Sequence, residues 1–227
     1  MEKLYVKIIV EGSEEYAFFD VVKQIGVNSN IHLEVEDACG YGSIADALLY
    51  ALREELFDCV VCVYDVDNRQ NDDKSPYSIC RSHLISIFED EKIVDAISFC
   101  TNPNILQFFL LAADKLFNVA LQSSSKSANS DIVHKYWEKI ASGKTDAQGR
   151  KTKQEYDASA WQLEIMKYSI LNGEYKYDDL LSNASDLPHN YLENLPGSNL
   201  LLLLNALKNG NIEFFKQIKN MTDSVID

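Results

Sequence analysis

The stretch Asp58–Asn68, DCVVCVYDVDN, decides the fold. Residues 59–64 form an unbroken apolar run rich in valine, too short for a typical helix and long enough for a strand. A strand with no polar alternation is buried on both faces, as in the centre of a parallel sheet covered by helices. The run stops at two aspartates, Asp65 and Asp67, which therefore stand at its carboxyl end. Cys59 and Cys62 spell C-x-x-C, but residues three apart on a strand point to opposite faces. The pair is expected to be two small core residues rather than half of a metal site.

Working outward, Leu4–Val10 (LYVKIIV) reads as an earlier buried strand that ends at Glu11-Gly12. Ser13–Ile25 carries helical spacing, and Glu14 and Glu15 suit the positive end of its dipole. His32–Glu36 alternates as a second strand, and Ser43 is expected to cap a helix reaching about Glu55. Ser78–Asp90 reads as a helix and Asp95–Cys100 (DAISFC) as a fourth strand. Strands alternating with helices predict a Rossmann-like α/β fold, a parallel sheet built from right-handed crossovers. After residue 102 the pattern becomes helical, with candidates at 105–116, 131–141 and 154–171 and a last helix near 212–221. The expected organisation is an α/β domain over 1–102, with a mainly helical region over 103–227 packed on it.

Composition limits the function classes. No apolar stretch approaches the roughly 20 residues of a spanning helix, and the five-leucine run Leu200–Leu204 is far too short. The first residues, MEKLYVKIIVEG, hold no leader-like apolar segment before Glu11, so a cytoplasmic location is expected, without a membrane role. Five cysteines, an odd number, then argue for reduced thiols over a disulfide framework. The net charge of −14 opposes non-specific nucleic-acid binding, which rests on phosphate neutralisation. A local basic patch or a partner has to supply that term if the substrate is a nucleic acid. Lys144, Arg150, Lys151 and Lys153 are the one plausible patch, and a solvated loop explains them equally well. Tyr156 and Trp161 flank that segment, either to stack on bases or, for Trp161, to anchor the helical half to the sheet.

The acidic residues carry the chemistry. In an open parallel sheet, ligands collect beyond the carboxyl ends of the strands. If the first and third strands are neighbours, Glu11, Asp65 and Asp67 fall into one pocket. Hard carboxylate oxygens gathered at a strand edge suit Mg²⁺ or Mn²⁺, which keep waters and a substrate phosphate in their shell. Gly12 is expected to let the backbone turn and approach a ligand closely. Glu11 serves either as a ligand or as a general base, and spacing does not separate the two. Glu15, Asn68 and Asn102 lie near enough in sequence to support the shell; for Asn102 a turn ahead of a helix is the plainer role, and for Glu15 a helix N-terminal charge. Polar caps on solvent loops are the plain alternative for the acids as a set. His32, His83, His134 and His189 show no ligand spacing, and the chain has no P-loop signature.

Glu11-Gly12 after the first strand and Asp65-x-Asp67 after the third resemble the Toprim domain of primases, topoisomerases, recombination proteins and OLD-family nucleases. The resemblance covers about residues 3–100. EGSEEYAFF, YDVDN and TNPNILQFFLLAADKL are similar to the RloB-like branch. It implies that Glu11, Asp65 and Asp67 bind Mg²⁺ or Mn²⁺ and assist phosphodiester cleavage in DNA or RNA, tRNA included. It further implies antiviral defence or abortive infection as the setting, with an OLD/ABC-type ATPase as partner. Two positions depart from the family. No glycine follows the D-x-D in DVDNRQND, and Leu106 and Gln107 stand where an acidic residue is expected after Asn-Pro. Two other readings remain open: a non-catalytic interaction subunit of such an ATPase complex, and a D-x-D nucleotide-sugar transferase, which leaves Glu11-Gly12 without a task. Oligomeric state, self-association included, is not legible.

Overall fold

In the apolar strands, β-branched side chains fit the pleat and bury on both faces. β1 (Leu4–Val10) exposes only Tyr5, and β3 (Cys59–Asp65) is buried from Cys59 to Tyr64. The computed structural model describes residues 3–67, 71–102, 105, 178, 181–182 and 197–226. Among them the sheet order is β2-β1-β3-β4-β5. β2 (Ile31–Asp37), β1, β3 and β4 (Ser98–Asn102) are parallel. A two-residue strand, β5 (Gly197–Ser198), joins β4 antiparallel. This is the expected Rossmann-like α/β architecture, with helices packed against the sheet and further helices at the C-terminal end of the chain.

The order explains where the crossovers run. From β1 the chain moves outward through α1 (Ser13–Ile25) to β2, then back past β1 through α2 (Tyr41–Arg53) to β3. With right-handed connections, that reversal puts α1 and α2 on opposite faces. The reversal lies at β1 and β3, so their carboxyl ends flank the crevice where an open sheet binds ligands. α3 (Pro76–Phe88) packs against α2. Its start is locally specified: the Ser75 hydroxyl accepts from Ser78 N at 3.1 Å and Pro76 occupies the first turn.

Several expected boundaries shift, and the helix expected over Ser78–Asp90 lies two residues earlier, at Pro76–Phe88. The predicted strand over 95–100 is half helix: α4 (Glu91–Ile97) comes first and β4 begins at Ser98. The Asp90 carboxylate caps α4 by accepting from Lys92 N at 2.8 Å, and Ile93, Val94 and Ile97 bury one face. Asn102, expected beyond the strand, is its last residue. Ser43 does not cap α2; the cap is Gly40, at φ +123°, and Ser43 N donates to its carbonyl at 3.1 Å.

The C-terminal segment is stitched into the sheet through one side chain. Asn199 lies beside the edge of β4, where its Oδ1 accepts from Cys100 N at 2.6 Å and its Nδ2 donates to Ser98 O at 3.0 Å. An amide side chain thereby substitutes for strand pairing and closes the edge. The leucine run then forms α5 (Leu200–Asn209), with Leu200, Leu201, Leu203, Leu204 and Leu207 buried. α6 (Ile212–Ile226) follows, five residues longer than expected at its end. Cys59 and Cys62 are both buried, as core residues should be. No helix among the described residues is long and apolar enough to cross a membrane.

Candidate metal centre

Parallel pairing sets the register of the site. Val10 of β1 pairs with Val63 of β3, and the ladder extends one step as Glu11 N donates to Val63 O at 3.1 Å. Glu11 and Asp65 thus leave adjacent strand ends together, and Asp65 N donates to Glu11 Oε2 at 3.1 Å. On its other side, Glu11 O accepts from Gly40 N at 2.7 Å, which brings the start of α2 to the same edge. The conformation of Gly40 is close to glycine-only backbone, so this approach depends on the absence of a side chain.

Gly12 has a plainer role than expected. Its φ of −161° is extended backbone open to any residue, and an added Cβ would meet only Glu15 Oε2, at 3.7 Å. Its N–H does matter, because it donates to Glu15 Oε2 at 3.1 Å. That bond is half of a capping box, and it folds the third residue of α1 back over the start of its helix. Glu15 thus sits in the first turn at the helix N-terminus, as expected, but is only 4 % exposed.

Asp65 is held from the opposite side. Its Oδ1 accepts from Thr101 Oγ1 at 2.5 Å and from Ile105 N at 3.0 Å. Asp65 retains some exposed surface, yet protein atoms crowd its carboxyl. Asp67 sits at φ +56°, a left-handed position that aspartate tolerates, and is exposed.

The electrostatics follow from crowding. Burial pushes the Asp65 carboxyl well above the usual range; the charge of Glu15 adds to this, the Thr101 hydroxyl opposes it, and Glu11 and Asp67 add further. Burial pushes Glu15 up to about 8, against the pull of its backbone hydrogen bond. Glu11 is raised by burial, opposed by the donor at Asp65 N and assisted by Asp67. Buried carboxyls that repel one another lower their energy by retaining a proton or by taking up a cation.

These side chains border an open pocket of about 270 Å³ lined by Glu11, Gly12, Ser13, Glu14, Glu15, Gly40 and Asp65. No Lys, Arg or His is among those lining residues. No three His, Cys, Asp or Glu side chains among the described residues are already arranged around one ion position. Glu11, Glu15 and Asp65 each have an oxygen turned toward a protein donor instead. The donor set nevertheless fits a divalent cation in kind: hard oxygens, mutually repelling and, among the described residues, without a basic neighbour in the lining.

Of the residues named from sequence, the structure brings Glu11, Gly12, Glu15 and Asp65 together, with the charge of Asp67 acting on Glu11 and Asp65. Asn102 is fixed only as the strand end paired with Gly197. Asn68, Leu106, Gln107, Lys144, Arg150, Lys151, Lys153, Tyr156 and Trp161 lie outside the described residues. Sequence reasoning missed Gly40 and Thr101. The Gly40-Tyr41-Gly42 spacing was the available signal for the first, and nothing local marks the second.

Comparison of the chain with protein-family models, with curated proteins and with solved structures finds no match.

Proposed function

We propose that the protein is a Mg²⁺- or Mn²⁺-dependent nuclease that cleaves phosphodiester bonds in DNA or RNA. The observation that carries this reading is the meeting of Glu11 and Asp65 at adjacent parallel strand ends, with Glu15 and Asp67 adding charge and no basic residue lining the pocket among the described residues. Glu11, Asp65 and Asp67 would hold the metal. When bound, such an ion activates a water and neutralises charge on the phosphoryl oxygens.

The chain's own residues have definable tasks. Glu11 is tethered by Asp65 N, which supports its ionised form against burial and keeps it at the mouth of the pocket. Asp65 has one oxygen fixed by two donors, Thr101 Oγ1 and Ile105 N. Asp67, exposed, would meet substrate from the solvent side. A cytoplasmic role in anti-phage defence with an ATPase partner rests on the resemblance of EGSEEYAFF, YDVDN and TNPNILQFFLLAADKL alone. The net charge of −14 favours a second reading, a non-catalytic subunit of the same ATPase complex. A nucleotide-sugar transferase leaves the Glu11 tether without a purpose.

One cleavage assay separates these readings. Labelled plasmid, single-stranded DNA and total tRNA are incubated with the protein in Mn²⁺ or EDTA, with and without the ATPase. Cutting of at least one substrate is expected, dependent on metal and abolished by Glu11→Ala. Removing that carboxylate forfeits one hydrogen bond, about 1–3 kcal/mol, and relieves repulsion, so the variant should stay folded. Cutting that survives EDTA or Glu11→Ala refutes the assignment. No cutting in any combination, with the ATPase still bound, transfers the case to the non-catalytic subunit.

A further inference from the structure

Thr101 is wholly buried, between β3 and β5, and a buried hydroxyl needs a partner. It has one: Oγ1 donates to Asp65 Oδ1 at 2.5 Å. The same oxygen accepts from Ile105 N at 3.0 Å. A carboxylate oxygen offers two lone-pair directions, so these two donors fill Oδ1. Thr101 is itself held on both sides. Its carbonyl accepts from Val66 N at 2.9 Å, and it pairs with Asp65 in one ladder and Ser198 in the other. The Thr101 backbone is therefore fixed in the sheet, and its hydroxyl meets Asp65 from a set position.

We infer that Thr101 is a positioning residue, which commits Oδ1 of Asp65 to the protein and turns the rest of that carboxyl toward Glu15 and the pocket, where a metal would bind. The inference rests on the metal-centre reading above and adds a residue that touches neither ion nor substrate. Hydrogen bonds behind a ligand fix its orientation and its ionised form, and losing one characteristically weakens metal binding. Thr101 also joins the site to the far end of the chain, since its β5 partner Ser198 donates to Cys100 O at 3.1 Å. Thr101→Val keeps the branched shape and removes the hydroxyl, leaving Oδ1 with the Ile105 donor alone. Thr101→Ser keeps the hydroxyl.

The test measures Mn²⁺ binding by electron paramagnetic resonance on the full chain, beside melting curves in EDTA. Wild type, Thr101→Val, Thr101→Ser and Asp65→Asn are compared, with Thr101→Ala replacing the valine variant if that one does not fold. Thr101→Val should bind Mn²⁺ about 10- to 100-fold more weakly, and Thr101→Ser close to wild type. A purely structural role would lower the EDTA melting temperature and leave Mn²⁺ affinity untouched. Wild-type affinity in Thr101→Val, with binding lost in Asp65→Asn, overturns the inference and spares the metal reading. Absence of Mn²⁺ binding in wild type, or unchanged binding in Asp65→Asn, overturns the metal reading itself and this inference with it.

Discussion

Glu15→Gln should flatten the dependence of stability on pH in metal-free buffer. Glu15 is 4 % exposed and its carboxyl is pushed from 4.5 up to about 8, chiefly by burial. The folded protein therefore holds a proton there that the unfolded chain releases near pH 4.5. The sign follows: this group costs nothing below the unfolded value, and stability falls as pH rises toward the folded one. Each pH unit in that window is worth about 1.4 kcal/mol, so wild type should lose about 3 kcal/mol between about pH 5.5 and 8 from this group alone. Glutamine carries no charge, and its amide oxygen can still accept from Gly12 N, now at 3.1 Å from Glu15 Oε2. The change also removes a charge that raises Asp65, which acts in the same direction. Urea denaturation followed by circular dichroism, in EDTA at both pH values, gives the two stabilities for each protein. Adding saturating Mg²⁺ should flatten the wild-type curve in its turn, because a bound cation neutralises the repulsion. Parallel curves for wild type and variant in EDTA would refute the reasoning, since Glu15 would then be ionised in the folded state at no cost.

Two further outcomes test how the site is supported. Asn199→Ala should lower stability by about 2–4 kcal/mol, because Cys100 N and Ser98 O both lose their partner at the edge of β4. A change below about 0.5 kcal/mol by urea denaturation would show that the amide is not part of the sheet. Gly40→Ala and Gly42→Ala, two residues apart, should have opposite signs. Gly40 at φ +123° admits no ordinary side chain, so alanine there should cost about 1–3 kcal/mol. Gly42 lies inside α2 with nothing within 4 Å of an added Cβ, so alanine should add about 0.5–1 kcal/mol. Equal effects at the two positions contradict the backbone assignment at the start of α2.

The parts of the fold legible in sequence are those fixed by contacts along the chain. CVVCVY and LYVKIIV announce buried strands because apolar runs of that length have few other uses, and α1 and α3 show in their helical spacing, although the Ser75-Pro76 start of α3 lies two residues before the spacing places it. DAISFC misleads because Ile97 serves a helix face while Ser98 begins the strand, and neither period lasts long enough to show. β5 has two residues, too few for any pattern, and the role of Asn199 depends on meeting residues about a hundred positions away. Thr101 is invisible for the same reason: its significance lies in Asp65, 36 residues earlier.

The acidic site stands between these cases. Each of Glu11, Asp65 and Asp67 could cap a solvent loop, and the inference that they converge needs β1 beside β3. That adjacency follows from topology, because a chain that visits β2 and returns places its first and third strands together. The register then does the rest. A shift of one residue between Val10 and Val63 would turn the strand-end side chains to the other face and part Asp65 N from the Glu11 carboxylate. The polar ends of the apolar run oppose such a slip, since it would carry Asp58 or Asp65 into the span of the sheet where Val10 and Val63 are wholly enclosed. The apolar run that specifies the sheet is therefore also what aims the carboxylates, so substitutions that loosen β3 should impair metal binding before they unfold the protein.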